Sequence, residues 1–115
     1  MIERGIVADI HIVIYIKRKF GTEIGFFEYS KDKRQWQVTL FNQTKLSLKK
    51  NTRAEDIINY SVSFVQISQS VIINVAYLAV INGKQCQLYP PFSERKDLCI
   101  SRGFLKELQE RFYLI

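Results

Sequence analysis

The sequence holds few of the residues that build metal sites, disulfide scaffolds or catalytic centres. Its 115 residues include two cysteines and one histidine, His11, and no Cys-x-x-Cys pair occurs. Zinc sites and disulfide frameworks need more such residues at closer spacing. No nucleophile stands near a general base, and most carboxylates neighbour a Lys or Arg. We therefore expect no metal, no cofactor and no enzymatic activity.

Long apolar runs and a signal peptide are also missing. The longest apolar stretch, residues 71–81, is interrupted by Asn74 and is too short to cross a bilayer. The first twenty residues include Glu3 and Arg4 and do not resemble a signal peptide. These absences predict a cytoplasmic protein with reduced thiols and no membrane partner. The length predicts one domain over residues 1–115, and a chain of this size can bury one hydrophobic core.

Positive charge is unevenly distributed along the chain. Seventeen Lys and Arg stand against eleven Asp and Glu, which gives a net charge of +6. Residues 1–50 hold ten basic and five acidic side chains, whereas residues 51–100 hold four of each. The basic residues of the first half cluster in Lys17–Lys19, Lys31–Arg34 and Lys45–Lys50. A basic surface of this kind is typical of proteins that bind an anionic partner such as nucleic acid.

Alternating and β-branched runs predict a mainly β protein. In one of these runs Trp36, Val38 and Leu40 fall on the same face. After residue 70 we predict an irregular turn that lasts until a strand starts at Tyr77. The other predicted strands are residues 10–16, 24–29, 35–41, 45–48, 64–67, 85–89 and 98–100.

Capping signals predict two short helices. Thr52 and Glu55 have the spacing of a capping box ahead of a narrow apolar face. Ser101 is placed to cap a final helix whose apolar stripe runs from Phe104 to Phe112.

The two cysteines lie in a predicted antiparallel arrangement of three strands. Asn82-Gly83 is the dipeptide of a type I′ hairpin turn. Good burial places Cys86 opposite Ile100 and residue 88 opposite residue 98, since side chains alternate between the faces. That register turns Cys99 to the other face, so we predict two free thiols.

Three polar positions interrupt the apolar pattern and are candidates for binding. Arg34 ends the tip that begins at Lys31, and Gln69 lies between two serines. Arg102 follows Ser101 in the first turn of the last helix, where a cation opposes the helix dipole at a cost of about a few tenths of a kcal/mol. A residue that is locally unfavourable suggests an anionic partner. Each position also fits an ordinary solvated turn, and the residues alone leave both interpretations open.

Three segments resemble the LytTR family of DNA-binding domains. Residues 64–78 (FVQISQSVIINVAYL) look like its central signature, in which a phenylalanine begins a strand, a serine follows a polar pair and an asparagine closes an apolar triplet. Residues 99–108 (CISRGFLKEL) are similar to its closing serine-arginine motif and final helix. Residues 25–29 (GFFEY) resemble its second strand. The segments stand in the family's order, and the resemblance covers residues 10–112.

This resemblance implies the output domain of a bacterial response regulator in a two-component system. Such domains form an elongated stack of small antiparallel sheets with two short helices. They bind double-stranded DNA through loops, which enter two successive major grooves and cross the minor groove between them. The base-contacting positions that carry over are Arg34 and Arg102 in the major grooves and Gln69 in the minor groove. The implied partners are promoter DNA repeats, a receiver or sensor domain outside this chain, and a second copy on the DNA.

Further polar side chains are candidates for phosphate contacts, which position a protein on DNA without specifying the sequence. They are Lys17, Arg18, Lys19, Lys33 and Ser68.

Two other functions remain open on the sequence. A β-rich protein-interaction module would use the basic face to meet an acidic partner. A single-stranded nucleic-acid-binding module would need exposed aromatic rings among the basic residues, and Tyr29 and Trp36 lie near enough to supply them. Binding to a promoter fragment in excess nonspecific DNA separates sequence-specific duplex binding from both alternatives.

Overall fold

The computed structural model of the chain describes residues 7–8 and 24–114. The strand predicted over residues 10–16, His11 and the basic triplet Lys17, Arg18 and Lys19 lie outside the described residues. Their predicted roles therefore stay predictions.

Within the described residues the chain forms eight strands and two short α-helices, which confirms the predicted mainly β class. The helices are α1 (Ala54–Ile58) and α2 (Leu105–Leu114), and 3₁₀ turns span Val75–Tyr77 and Arg102–Phe104. The strands are β1 (Val7–Ala8), β2 (Ile24–Ser30), β3 (Gln35–Leu40), β4 (Lys45–Leu48), β5 (Phe64–Ser68), β6 (Val71–Asn74), β7 (Leu78–Asn82) and β8 (Gln85–Leu88).

The strands divide into two sheets. Six of them form one sheet in the order β1-β4-β3-β2-β6-β5, and β7 and β8 form a hairpin of their own. The pairs are antiparallel except for β1 with β4. The molecule extends 40 Å in its longest direction and 28 and 26 Å in the others.

The large sheet buries both of its faces. Successive side chains of a strand point to opposite faces, so Phe27 and Ile72 belong to one core and Phe26 and Ile73 to the other. The first core includes Trp36 and the other side chains predicted to share its face, and α1 covers it through Ile57. The second core is closed by β7, β8, the segment that follows them and α2.

Strand β6 corrects the prediction of an irregular turn after residue 70. Val71–Asn74 pairs with β5 on one side and, on the other, with β2, which is distant in sequence, and this pairing holds it extended. Asn74 ends the strand. Its side-chain Nδ2 donates to the Ile24 carbonyl at 2.7 Å, and its Oδ1 accepts from the Ala76 amide at 3.0 Å. The polar residue that suggested a break instead satisfies two backbone groups at the end of a buried strand.

The β7–β8 hairpin turns one residue later than predicted. Asn82 pairs with Gln85, so the two loop residues are Gly83 and Lys84. Gly83 has a φ of +66°, and Lys84 is not among the residues with positive φ. Positive φ at the first loop position alone fits a type II′ turn and not the predicted type I′.

In the region of the two cysteines, the side chains point to the predicted faces, but the two segments pair in a different register from the predicted one. The Cys86 amide donates to the Leu98 carbonyl at 3.1 Å, and Gln85 forms a single bridge with Cys99 in place of a last strand. The predicted partners are thus displaced by two residues. Because the side-chain period is also two, the alternation pattern alone could not distinguish the two registers. Both cysteines are free, with Cys86 buried and Cys99 exposed, as predicted.

Both helix starts differ in detail from the predicted caps. The N-cap of α1 is Arg53 and not Thr52, and the Arg53 amide donates to the Asp56 carboxylate at 2.8 Å. Ser101 occupies the predicted N-cap position, but its hydroxyl makes no capping hydrogen bond, and the chain continues as a 3₁₀ turn before α2 begins.

The closing loop, residues 89–97, connects β8 to the bridge at Cys99 and packs one aromatic ring into the second core. Phe92 is 2% exposed and lies edge-on to Tyr77, with ring centroids 5.0 Å apart. Gly25 lies directly beneath this ring, and a Cβ at that position would overlap it. Glycine is therefore required there by the close approach of the ring.

Candidate nucleic-acid interface

The first candidate loop is the tip between β2 and β3. Residues 31–34 are all exposed. The tip is closed by the Arg34 amide, which donates to the Ser30 carbonyl at 2.7 Å, and by the Lys33 amide, which donates to the Ser30 hydroxyl at 3.2 Å. Arg34 has a φ of +56°, in the left-handed region. Such a conformation costs a non-glycine residue about 1 kcal/mol or more, so the tip retains arginine at a position that glycine would fit better.

The second candidate loop is the turn between β5 and β6. Ser68 pairs with Val71, which leaves Gln69 and Ser70 as a two-residue loop. The Ser70 amide donates to the Ser68 hydroxyl oxygen at 3.2 Å, so Ser68 stabilises the turn while its own proton remains free to donate. The Gln69 side chain is exposed.

The start of the last helix lies next to this turn. The pairing of β5 with β6 shifts between Gln66 and Ser68, as in a β-bulge. The carbonyl of Ile67, within that shift, accepts a hydrogen bond from the Ser101 amide at 2.8 Å. This contact holds the exposed Arg102 beside the Ser68–Ser70 turn.

The tip also lies next to the turn, on its other side. The Tyr29 amide at the end of β2 donates to the Ser70 carbonyl at 2.9 Å. Backbone hydrogen bonds therefore join the three loops in series, with Gln69 in the middle loop and Arg34 and Arg102 in the outer ones. We call this surface the polar edge, and it consists of Lys33, Arg34, Ser68, Gln69 and Arg102.

The predicted base-contacting side chains carry uncommitted donors. Within residues 24–114, Arg34, Gln69 and Arg102 have no side-chain hydrogen bond and no ion pair. Other arginines of the same region form ion pairs with carboxylates. Arg95 pairs with Glu28 and Asp97, and Arg53 and Arg111 each have carboxylate partners. Among the arginines of residues 24–114, the two in the polar edge therefore present free guanidinium donors to a ligand.

A basic cleft of about 590 Å³ adjoins the polar edge. This open cleft is lined by the tip, the Ser68–Ser70 turn and the segment between β4 and α1. Its lining includes Tyr29, Lys31, Lys50, Arg53 and Gln69. Sequence reasoning counted Lys31 and Lys50 in basic segments but did not bring them together, because their proximity depends on the sheet order.

Lys84 is a further basic residue near the polar edge, and sequence reasoning missed it. The Lys84 carbonyl accepts from the Ile100 amide at 2.6 Å, which places the β7–β8 turn beside the chain that leads into Arg102. The Lys84 side chain is exposed. The sequence predicted a turn at Asn82-Gly83, directly before Lys84. It did not predict that this turn lies near the last helix, because no local pattern contains that information.

Over residues 7–8 and 24–114 no cluster of His, Cys, Asp and Glu could hold a metal ion. Burial, with a smaller effect from Cys99, raises the pKa of the Cys86 thiol to about 11, so that thiol stays protonated near neutral pH. In the part of the chain that is described, no helix is long and apolar enough to cross a membrane.

Comparisons of the chain with family models, with curated proteins and with solved structures found no match. The LytTR resemblance therefore rests on the sequence segments quoted above.

Proposed function

We propose that this chain is a sequence-specific domain for binding double-stranded DNA, the output domain of a cytoplasmic bacterial transcriptional regulator of LytTR type. Its role is recognition and not catalysis. Arg34 and Arg102 contact bases in successive major grooves, and Gln69 contacts the minor groove between them. A receiver or sensor domain outside this chain supplies the signal, and two copies bind neighbouring promoter repeats.

The observation that carries this proposal is the arrangement of the polar edge. Three side chains chosen for their hydrogen-bonding chemistry lie in adjacent loops, where they are exposed and have no partner within residues 24–114. Arginine forms bidentate hydrogen bonds to guanine O6 and N7, and an amide both donates to and accepts from base edges. The molecule extends 40 Å in its longest direction, a length comparable with one turn of B-DNA, about 34 Å.

The remaining contacts are electrostatic. Lys33 and the Ser68 hydroxyl flank the base-contacting residues and would bind phosphate oxygens. Lys17, Arg18 and Lys19 remain predicted phosphate contacts, and Lys84 is added because its turn lies near Arg102. About six such contacts would make the logarithm of affinity fall with the logarithm of salt concentration at a slope of about −5.

The test is selection of duplexes from a random pool, followed by binding of the selected site in excess nonspecific DNA. We expect one motif to be enriched and its binding to survive the competitor. Enrichment of no motif, or equal loss of selected and random duplex to the competitor, would contradict sequence-specific binding. An acidic protein partner that displaced all duplex binding would then support the protein-interaction alternative.

Single-stranded nucleic acid is a second candidate ligand, favoured by the exposed Tyr29 ring in the basic cleft. Tyr29 is 36% exposed, whereas its neighbour Trp36 is 4% exposed and packs in the first core. One accessible ring is a small stacking platform compared with the several that single-strand binders use. The same assay with the separated strands compares the two ligands. Tighter binding to the single strands than to the duplex would favour single-stranded nucleic-acid binding over our proposal.

A further inference from the structure

We infer that the basic cleft binds a phosphate of the DNA backbone between Lys31 and Lys50, and that this contact positions Gln69 against the minor groove. The inference rests on the proposed function and adds two residues to it. The polar edge supplies the base contacts, and the cleft fixes the strand relative to them.

The sheet order brings the two lysines to one end of the sheet. Lys31 follows β2 and Lys50 follows β4, and both strands run antiparallel to β3, which lies between them. The Gln35 side chain at the start of β3 donates to the Leu48 carbonyl at 3.0 Å and so holds the end of β4 in place. Two inter-strand spacings amount to about 10 Å, a gap that two long lysine side chains can close around one phosphate.

Charge pairing singles out these two lysines among the cations of the cleft. Arg53 lies 3.3 Å from the Glu55 carboxylate and 3.8 Å from that of Asp56, so its charge is partly offset. Within the described residues, Lys31 and Lys50 have no such partner, and both are exposed. A lysine ammonium is a compact charge with three donors, which suits a phosphate oxygen.

The other walls of the cleft connect this phosphate to base recognition. Tyr29 forms part of the lining with an exposed ring, and a tyrosine hydroxyl is a further donor to phosphate. Gln69 lines the same cleft and also belongs to the polar edge. A strand held at the cleft therefore passes beside the Gln69 amide. Lys31 and Lys50 are positioning residues for that contact and do not read a base themselves.

The experiment compares Lys31→Gln, Lys50→Gln and the double variant on the selected duplex and on a random duplex. Each single change removes one phosphate contact, so it should weaken both duplexes about eightfold at about 0.1 M salt and flatten the salt slope by about one unit. Lys50→Arg should retain the slope because it keeps the charge. Lys45→Gln is the matched control, since Lys45 is exposed at the opposite end of β4.

A double-mutant cycle tests the positioning role. Gln69→Ala should reduce preference for the selected duplex in the native background and have a smaller effect when both lysines are replaced. A merely electrostatic role would leave the Gln69→Ala effect unchanged and would contradict the positioning role. Unchanged salt slopes in the lysine variants, with selective duplex binding intact, would overturn the phosphate site while the proposed function stands. Absence of selective binding in the native protein would instead overturn both.

Discussion

The polar edge and the closing loop both interrupt the sheet structure with polar residues, but they differ in what those residues contact. Arg95 of the closing loop donates to Glu28 at 2.6 Å and to Asp97 at 2.9 Å, and it lies over the Phe26 ring. These hydrogen bonds raise the pKa of Arg95 and hold the pKa of Asp97 below its usual value. Arg102 of the polar edge has no partner within residues 24–114. One arginine contributes to the fold, and the other is available to a ligand.

Backbone conformation separates the two regions in the same way. The closing loop fills the second core with Phe92, and glycine at position 25 accommodates the ring. At the polar edge the fold instead tolerates Arg34 in a left-handed conformation without any described contact of its side chain. Substitution of Phe92 or Arg95 in the closing loop should therefore reduce stability. Substitution of Arg34, Gln69 or Arg102 in the polar edge should reduce DNA binding and leave stability unchanged or higher.

The largest expected effect is on stability, from Phe92→Ala. The side chain is 2% exposed and surrounded by the rings of Phe26 and Tyr77. Truncating a buried phenylalanine costs about 3–5 kcal/mol of the free energy of unfolding. Urea denaturation measures this loss, and DNA affinity per folded molecule should be unchanged.

Replacing glycine by alanine at two positions tests the packing of the Phe92 ring in a second way, because one position lies against the ring and the other does not. Gly25→Ala forces a Cβ into the Phe92 ring and should cost about 1–3 kcal/mol or more. Gly103→Ala places the same methyl group where, apart from its chain neighbours, no atom of the described residues lies within 4 Å, so it should not destabilise the protein. Equal stability of the two variants would show that the ring does not pack on Gly25.

The next effect is on binding, from Arg102→Ala. Loss of a bidentate base contact should cost about 1–3 kcal/mol on the selected duplex and much less on random DNA. The fold should remain intact, because the side chain has no described partner. Titration of both duplexes measures the two affinities. If both fall by the same factor, Arg102 is a phosphate contact and not a base contact.

Arg95→Ala should have the opposite effect to Arg102→Ala, lowering stability and not affinity. It leaves the partly buried Glu28 carboxylate without its partner, so stability should fall while the affinity of the folded protein for the selected duplex is retained. A variant with native stability and reduced affinity would place Arg95 in the interface and remove the distinction between the two regions.

Much of the fold could be predicted from local patterns. The alternation of Trp36, Val38 and Leu40 identified a buried face, and alternation also placed Cys86 inside and Cys99 outside. The strand register was wrong by two residues because either register buries the same side chains. Strand β6 was missed because its extended conformation depends on pairing with β2 and β5.

For the candidate site, the sequence predicted the individual residues but not their adjacency. Polar residues at the ends of strands identified the members of the polar edge one by one. Their adjacency depends on hydrogen bonds between distant segments, such as that from Ser101 to Ile67. The basic cleft and the Arg95–Glu28 pair, whose members are 67 residues apart, also require the sheet order. No local pattern contains that information.

A smaller effect on stability, of opposite sign, is expected at Arg34. Glycine adopts a φ of +56° without steric cost, so Arg34→Gly should raise the free energy of unfolding by up to about 1 kcal/mol. Arg34→Ala should not raise it, because alanine retains the unfavourable conformation. Both variants should lose affinity for the selected duplex. A glycine variant with native affinity would transfer the base contact to Lys33.

The last expected effect concerns the two thiols and is confined to alkaline pH. Burial raises the pKa of Cys86 from 9.0 to about 11, whereas in the unfolded chain the thiol ionises at its ordinary value. Between these values the folded state retains a proton that the unfolded state loses, so stability is fully present below about pH 9 and falls as the pH rises toward 11. Urea denaturation across this range should show that the free energy of unfolding falls more steeply with pH for the native protein than for Cys86→Ala. Other titrating groups contribute equally to both proteins, so the comparison isolates Cys86. Cys99→Ser, at an exposed position, should follow the native curve. Identical curves for the native protein and Cys86→Ala would mean that Cys86 is as accessible as Cys99, a result that rapid reaction of both thiols with a disulfide reagent would confirm.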